Sequence, residues 1–185
     1  MDKPALRAEL LANRRKRTAL ETAAERSQRG SLIADRCLRL EQVVQACARG
    51  DLITTYEALP SEPPTAALNE ALTASGAQVA IPVHAIDGNA LDDMQWRDLV
   101  TGKLVASNSD ELVAHGVAVI FTPALAVGRD GSRLGKGKGY YDKFFSRVPQ
   151  FPAGPLRVGI VEPTSVFDSL PTDEHDQPVD TFVVG

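Results

Sequence analysis

The fold and the function of this chain both centre on residues 117–147, which read VAVIFTPALAVGRDGSRLGKGKGYYDKFFSR. The first five of these residues are apolar and mostly β-branched, which is typical of a buried strand. Gly131–Asp142 then alternates glycine with cationic side chains, and Tyr140–Arg147 has the pattern of a helix that opens directly after the glycines. Strand, glycine-rich loop and helix in this order predict a ligand site outside the carboxyl end of a strand in an open α/β sheet.

The glycine-rich segment has the chemistry of a phosphate-binding loop. Its glycines leave backbone N–H groups uncovered and permit positive φ, so that several amides can converge on one anion. Arg133, Lys136 and Lys138 add positive charges suited to phosphate oxygens. A helix that starts near Tyr140 would add its dipole to the same anion site. The alternative is a mobile basic surface loop. The aromatic pair Tyr140-Tyr141 argues against this alternative, because solvated linkers are rarely aromatic.

Spacing excludes two familiar nucleotide-binding motifs. A Walker A loop needs a glycine five residues before Gly-Lys, but Asp130 and Ser132 occupy the two positions where it would stand. A dinucleotide fingerprint G-x-G-x-x-G needs a third glycine where this chain has Tyr140 or Asp142. The phosphate-binding interpretation therefore requires a different loop.

Helical and strand patterns alternate along the rest of the chain. The predicted helices cover Ala5–Leu20, then a second helix that a capping box at Thr18–Glu21 opens and that continues to about Ala48, then Ala66–Ala74 and Tyr140–Arg147. The predicted strands are Leu52–Tyr56, Val79–Val83, Val117–Phe121, Leu156–Val161 and Thr181–Val184. This alternation predicts an α/β fold, and no linker divides the chain, so we expect a single domain over residues 1–185.

Composition favours a small cytoplasmic enzyme. The net charge of −4 disfavours nucleic-acid binding, and the 43% of apolar residues can supply a real core. No signal peptide and no membrane-spanning run is recognised in the sequence. Cys37 and Cys47 lack disulfide or metal-ligand spacing, so we expect buried thiols in a reducing compartment.

Five segments of the chain together resemble one enzyme family. They are Lys3-Pro4-Ala5-Leu6-Arg7, Tyr56–Thr65 with Gln78–Val83, Thr122–Val127, Gly131–Asp142, and the closing Leu170-Pro171, Asp176 and Val179-Asp180. In this order they are similar to the elements of the 5-formyltetrahydrofolate cyclo-ligase (methenyltetrahydrofolate synthetase) family. The glycine-rich segment is the most specific of them.

The resemblance implies a fold and a reaction. The fold is a three-layer α/β/α arrangement, an open and mostly parallel sheet with helices on both faces. The reaction is the ATP-dependent conversion of 5-formyltetrahydrofolate to 5,10-methenyltetrahydrofolate, with Mg²⁺ as cofactor and ADP and phosphate as co-products. The formyl oxygen is phosphorylated, and N10 then attacks the activated carbon. We expect ATP and the folate as ligands, no nucleic-acid or membrane partner, and a monomer.

The resemblance also implies roles for individual residues. ATP binding falls to Lys3, Pro4, Ala5, Leu6, Arg7, Arg133, Leu134, Gly135, Lys136, Gly137, Lys138, Gly139, Tyr140 and Tyr141. Folate binding falls to Glu57, Glu62, Lys136, Gly137, Lys138, Gly139 and Tyr140, and catalysis to Arg133, Lys136, Lys138 and Tyr140. Mg²⁺ binding falls to Asp142 and Asp176.

Several of these positions have a plain structural alternative. Lys3 and Arg7, four residues apart on one helical face, could form a solvated helix start, and Glu62 could be an ordinary turn carboxylate. Asp142 could cap a helix instead of holding metal. Arg14 is expected to be an exposed residue of the first helix. The residues alone assign no role to His84 or His115, and His175 borders either the site or only a surface loop.

Two rival functions stay open at this point. One is a folate- or nucleotide-binding relative without turnover. The other is a nucleic-acid-binding module that uses the basic stretches Arg14–Arg17 and Arg129–Lys143. Glu57 and the segment 102–113 depart from the family pattern near the folate, which leaves folate preference open.

Overall fold

The computed structural model describes residues 2–185. Its helices are α1 (Lys3–Leu20), α2 (Ala23–Cys37), α3 (Glu41–Arg49), α4 (Ala66–Ala74), α5 (Ser109–Ala114) and α6 (Tyr140–Phe145). Its strands are β1 (Leu52–Thr54), β2 (Gln78–Ile86), β3 (Asn89–Asp98), β4 (Leu104–Ala106), β5 (Val119–Pro123), β6 (Ala126–Gly128), β7 (Arg133–Leu134), β8 (Leu156–Val161), β9 (Val166–Phe167) and β10 (Thr181–Val184). Among these residues, no helix combines the length and the apolar character that crossing a bilayer requires.

Seven of the strands form one sheet in the order β10-β8-β5-β1-β2-β3-β4. The five strands from β10 to β2 run parallel, whereas β3 and β4 are added antiparallel at one edge. In the centre, Val119 of β5 is in register with Ile53 of β1 and with Leu156 of β8. The open, mostly parallel sheet is therefore confirmed.

Both faces of this sheet are covered by helices. Side chains alternate between the two faces of a strand, and β5 shows the consequence. Phe121 belongs to a core cluster that includes Leu68 of α4, whereas its neighbour Ile120 belongs to a second cluster that includes Phe144 of α6. Two separate apolar layers thus sandwich the sheet, and the predicted α/β/α architecture is confirmed.

The predicted N-terminal helices are wrong in two places. The capping box forms at Thr22 and Glu25, not at Thr18 and Glu21: the Glu25 carboxylate accepts the Thr22 N–H at 2.8 Å. Thr18 lies inside α1 and donates its hydroxyl to the carbonyl of Arg14 at 2.9 Å. The pattern Thr-x-x-Glu occurs twice in succession, so the sequence cannot decide between the two. The predicted continuous helix to about Ala48 is also interrupted, because Leu40 has extended backbone and is the N-cap of α3.

An antiparallel hairpin extends the sheet beyond the strands predicted from sequence. β2 continues past Val83 to Ile86, and the chain turns through Asp87 and Gly88, both with positive φ. β3 is mostly polar, and Met94 and Trp96 are its buried residues. Because this pattern gives only a weak strand signal, the sequence did not reveal β3 or β4. Trp96 packs against Phe144 with ring centroids 5.1 Å apart, in agreement with a core role.

A small three-stranded sheet, β7-β6-β9, separates β5 from the glycine-rich loop. The glycine-rich segment does follow the carboxyl end of β5, but β6 lies between them, and β7, its antiparallel partner, forms near the start of the segment. Leu6 and Leu10 of α1 pack against Leu125 and Leu134 of this unit in a third apolar cluster. That packing brings the first turns of α1 next to the glycine-rich loop.

Candidate active site

The loop that follows β7 is shaped by glycines with positive φ. Gly137 and Gly139 have φ of 89° and 71°, values that residues with a Cβ rarely adopt. Gly139 is also the N-cap of α6, which begins at Tyr140 without a side-chain cap. The predicted helix start at Tyr140 is confirmed, and backbone N–H groups at this turn are left for other partners.

This loop forms one wall of a cavity of about 330 Å³, which is within the range of small-molecule sites. The cavity lies at the carboxyl end of β5, where residues 123–125 line it. The loop contributes Arg133 and residues 135–142, and the other side is formed by Arg14, Leu59, Glu62 and His84. Residues that are far apart in sequence therefore meet in one cavity.

Two ion pairs organise the cavity. Lys136 Nζ lies 2.7 Å from Glu62 Oε1 and joins the loop to the opposite wall. Arg133 Nη2 donates to Asp142 Oδ1 at 2.6 Å, which ties β7 to the first turn of α6. Glu62 is only 5% exposed, and its second oxygen accepts the N–H of Leu59 at 2.9 Å. Glu62 is thus a buried carboxylate at the cavity surface and not a free turn residue.

The start of α1 contacts the edge of the same region. Arg7 Nε donates to the carbonyl of Gly135 at 3.0 Å, so this side chain holds the glycine-rich loop directly. Lys3 pairs with Asp173 at 2.9 Å and also with Asp176. Burial lowers the pKa of Lys3, but hydrogen bonds and charge from these two carboxylates outweigh it and raise that pKa above its usual value. Lys3 and Arg7 are therefore engaged and not a solvated helix start.

Pro4, Ala5 and Leu6 have different surroundings. Pro4 and Ala5 are exposed in the first turn of α1, where the Ala5 N–H donates to the side chain of the N-cap Asp2. Leu6 is buried in the third apolar cluster. Its packing orients the helix start beside the loop.

Asp142 and Asp176 come together at one end of the loop. Both line an open groove next to α6, and the N–H of Gln177 donates to Asp142 Oδ1 at 3.3 Å. Burial alone would raise the pKa of Asp176, but its hydrogen bonds with Lys3 and Asp173 lower that pKa and keep the carboxylate ionised. Among residues 2–185, no group of three or more acidic, His or Cys side chains forms a metal cage. Two carboxylates nevertheless fit Mg²⁺, which is commonly held by one or two carboxylates plus waters and substrate phosphates.

Some candidate residues lie away from the cavity. Glu57 is exposed, pairs with Arg97 at 3.3 Å and lines a separate surface depression with Val100. His115 lines another depression near the amino ends of the strands, whereas exposed His175 borders the groove of Asp142. The structure therefore does not bring Glu57 to Glu62 and the loop.

Two cavity residues and one residue behind the Glu62 turn were missed or misjudged from the sequence. Arg14 was expected to be exposed, but it is 4% exposed and lines the cavity, because its helix face packs against the end of β5. His84 packs against Tyr140 with ring centroids 4.8 Å apart and ring planes tilted by 34°, and burial lowers the pKa of His84, so it is mostly neutral at pH 7. Arg26 donates to the carbonyls of Leu59, Pro60 and Glu62 at 3.2, 2.8 and 3.2 Å, and so fixes the turn that carries Glu62.

No sequence signal identifies these three residues as a group. Arg14 belongs to a run of four basic residues that resembles a solvated face, and His84 ends an apolar strand. Arg26 follows a capping box, which accounts for its position without any site. Only the tertiary arrangement brings them to the cavity and to its Glu62 turn.

Comparisons with known proteins identify the family of this chain. A sequence model of the 5-formyltetrahydrofolate cyclo-ligase family matches residues 1–185. The 5-formyltetrahydrofolate cyclo-ligase of Mycolicibacterium smegmatis is 32% identical over 138 residues, covering 69% of this chain and 70% of the relative. The protein of the same name from Escherichia coli is 27% identical over 179 residues, covering 92% and 94%.

A solved structure has the same fold. The 5,10-methenyltetrahydrofolate synthetase from Mycoplasma pneumoniae superposes with a TM-score of 0.72 at 21% identity, covering 98% of each chain. At this identity the structural likeness shows a shared fold, whereas the family-model match over the full length of the sequence shows the family. The chain belongs to the 5-formyltetrahydrofolate cyclo-ligase family.

Proposed function

We propose that this protein converts 5-formyltetrahydrofolate to 5,10-methenyltetrahydrofolate with consumption of ATP. One observation carries the proposal: a loop with phosphate-binding chemistry and a buried carboxylate line the same cavity, where Lys136 Nζ lies 2.7 Å from Glu62 Oε1. The loop chemistry suits a nucleotide, and the carboxylate suits the N–H groups of a reduced pterin. The names of the relatives supply the substrate class.

The nucleotide is assigned to the loop side of the cavity. The amides of residues 135–139 and the cations Arg133 and Lys138 would contact its phosphate oxygens. Arg7 already holds the carbonyl of Gly135, and its guanidinium carbon would lie 3.4 Å from a Cβ added at Gly137. This contact supports a part for the helix start in ATP binding.

The folate is assigned to the opposite side. Glu62 can accept two N–H groups of the pterin, provided that Lys136 moves from the carboxylate to the phosphates. The tilted ring pair of His84 and Tyr140 gives this side an aromatic surface against which a bicyclic ring can pack. Tyr140 belongs to the loop, so it would contact both ligands.

The chemistry needs positioning and charge neutralisation more than a protein nucleophile. The formyl oxygen attacks the γ-phosphorus of ATP, and the bond from that phosphorus to the bridging oxygen of ADP breaks. N10 then attacks the activated formyl carbon and gives up its proton, and phosphate leaves with the former formyl oxygen. Lys136, Lys138 and Arg133 would stabilise the charge that moves through the phosphoryl oxygens.

Magnesium is assigned to Asp142 and Asp176. Bound with the nucleotide, Mg²⁺ would neutralise phosphate charge. Arg133 would then keep Asp142 aligned, and Lys3 would do the same for Asp176. Both pairs hold the carboxylates at one end of the loop before any ligand arrives.

The cysteines support a mechanism without covalent catalysis. Burial raises the pKa of Cys37 to about 12, and it also raises the pKa of Cys47. Both thiols are free and buried, so neither supplies a thiolate near neutral pH.

A spectrophotometric assay for the methenyl product tests the proposal. The purified protein is incubated with 5-formyltetrahydrofolate and Mg²⁺, with and without ATP. We expect product only with ATP, in step with release of ADP and phosphate. Tight binding of both ligands without product would instead identify a binding relative that has lost turnover.

A further inference from the structure

Four cations line the cavity, and they differ in how their charges are compensated. Lys136 is paired with Glu62 and Arg133 with Asp142. Lys138 has no carboxylate partner within 4 Å among residues 2–185, but it is exposed on the loop, so water solvates its charge. Arg14 is different from all three, because it is buried and also lacks an ion pair within the described part of the chain.

The surroundings of Arg14 leave its charge largely uncompensated. Its Nη2 donates to the carbonyls of Ala124 and Leu125, and its buried Nε has no hydrogen-bond partner. The nearby carboxylates are already engaged elsewhere. Glu62 binds Lys136, and Glu162 binds both Arg17 and Arg29.

A buried cation without an anion is destabilising, because carbonyl dipoles offset only part of the free energy of desolvation. The pKa of Arg14 agrees with this cost. Burial lowers that pKa, and more distant carboxylates oppose the shift only in part. A guanidinium is nonetheless protonated at any physiological pH. An anion that entered the cavity would supply the missing charge.

We propose that Arg14 is the buried anion receptor of this cavity and contacts the phosphoryl group that is transferred from ATP. The inference rests on the proposed function for the identity of that group. Its planar fork of donors matches phosphate oxygens. It lies at the end of β5, in the same cavity wall as residues 123–125 and within the space that Lys136 and Lys138 also line.

During transfer, the bond between the formyl oxygen and the γ-phosphorus forms while the bond to the ADP oxygen breaks. Arg14 takes no proton and forms no covalent bond. It donates N–H groups to the equatorial oxygens, where negative charge accumulates, and it stays with the phosphate until that group leaves. The surrounding cavity is partly shielded from water, so this contact is stronger than one at the surface.

The test compares Arg14→Met with Arg14→Lys, and both with Arg15→Met, which alters the exposed neighbour on the same helix. Calorimetry measures the affinity for two probes without ATP: inorganic phosphate, and p-aminobenzoylglutamate as a carboxylate probe for the folate tail. We expect phosphate affinity to fall by about tenfold or more in Arg14→Met, as loss of a charged hydrogen bond predicts, and to recover partly in Arg14→Lys. Arg15→Met should bind phosphate like the wild type.

Turnover is measured in parallel, and circular dichroism checks the fold. We expect kcat for methenyl formation to fall on the order of a hundredfold in Arg14→Met. If Arg14→Met does not fold, the test uses Arg14→Lys and Arg14→Gln instead. Wild-type phosphate affinity and wild-type kcat in both of these variants, with Arg14→Gln folded, would overturn the inference. Unchanged phosphate affinity with weakened p-aminobenzoylglutamate binding would also overturn it.

The two proposals fail separately. Absence of methenyl product from the wild type, with phosphate affinity lost only in Arg14→Met, would overturn the reaction but support the anion receptor. Normal turnover and normal phosphate affinity in Arg14→Met would leave the reaction standing and overturn the role of Arg14.

Discussion

The two walls of the cavity are built in opposite ways. The loop wall, Arg133–Asp142, is continuous in sequence, rich in glycine and partly exposed. The assembled wall consists of Arg14 from α1, Glu62 from the turn after β1 and His84 from β2. Its charged members are 4% and 5% exposed. One wall can adapt to a ligand, whereas the other is held by the packing of three elements.

This difference explains why cations that line the same cavity should differ in how strongly each binds an anion. On the loop wall, solvent and ion pairs moderate each charge, so each contact with a ligand replaces an existing one. On the assembled wall, the protein has already removed water from Arg14 and Glu62. Ligand contacts there are made in a lower dielectric, where each is worth more.

The largest effect should come from Lys138 on the loop wall, which we propose contacts the phosphates of the nucleotide. We expect Lys138→Ala to lower kcat by about 10²–10³-fold, the usual cost of removing a charge that stabilises a transition state. Because Lys138 is exposed, the melting temperature should stay near that of the wild type. Steady-state kinetics measures the effect, with Lys103→Ala as a control at a distant exposed site. Near-normal kcat in Lys138→Ala would remove Lys138 from the catalytic set.

The next effect concerns the buried carboxylate of the assembled wall. Glu62→Gln keeps the shape but loses the charge, so we expect the KM for 5-formyltetrahydrofolate to rise about ten- to a hundredfold. ATP affinity should change much less. Glu57→Gln is the matched control, since Glu57 was assigned to the folate from sequence but lies outside the cavity. Equal rises in both variants would show that the folate extends to the surface depression of Glu57.

Metal dependence tests the end of the loop wall. We expect Asp142→Asn to raise the Mg²⁺ concentration for half-maximal activity on the order of tenfold. Folate affinity measured without nucleotide should be unchanged. A Mg²⁺ titration of initial rates provides the measurement, and Asp35→Asn on the exposed face of α2 is the control. An unchanged titration would leave Asp142 with only its structural pairing to Arg133.

The smallest effect should come from the contact that joins α1 to the loop. Arg7→Ala removes the hydrogen bond to Gly135, and we expect the KM for ATP to rise by roughly five- to tenfold. Arg15→Ala is the proper control on this helix, because Arg14 is buried and cannot serve as one. Equal small changes in both variants would confine the helix start to a packing role.

Much of the fold could be predicted because its signals are local. Three elements have the predicted bounds, because apolar runs and end signals coincide there. They are the strands Leu156–Val161 and Thr181–Val184 and the helix Ala66–Ala74. β3 could not be predicted, because a half-exposed strand with polar residues lacks such a run. Its pairing with β2 depends on the turn at Asp87-Gly88 and on cover from α6.

The same contrast applies to the site. The glycine-rich loop was recognisable because its residues are neighbours in sequence. The burial of Arg14 was not, because a run of four basic residues looks identical whether its first member points to solvent or into the core. Long-range contacts set the orientation of α1, among them the packing of Leu6 and Leu10 on Leu125 and Leu134.

The sheet order has a further consequence for self-association. The two outer strands of the large sheet, β4 and β10, have only three and four residues. At the β10 edge, Arg36 of α2 donates to the carbonyl of Val184. Short edges that are partly engaged offer few backbone groups to a strand from another molecule. The protein should therefore resist edge-to-edge aggregation at high concentration, even though five parallel strands form the centre of its sheet.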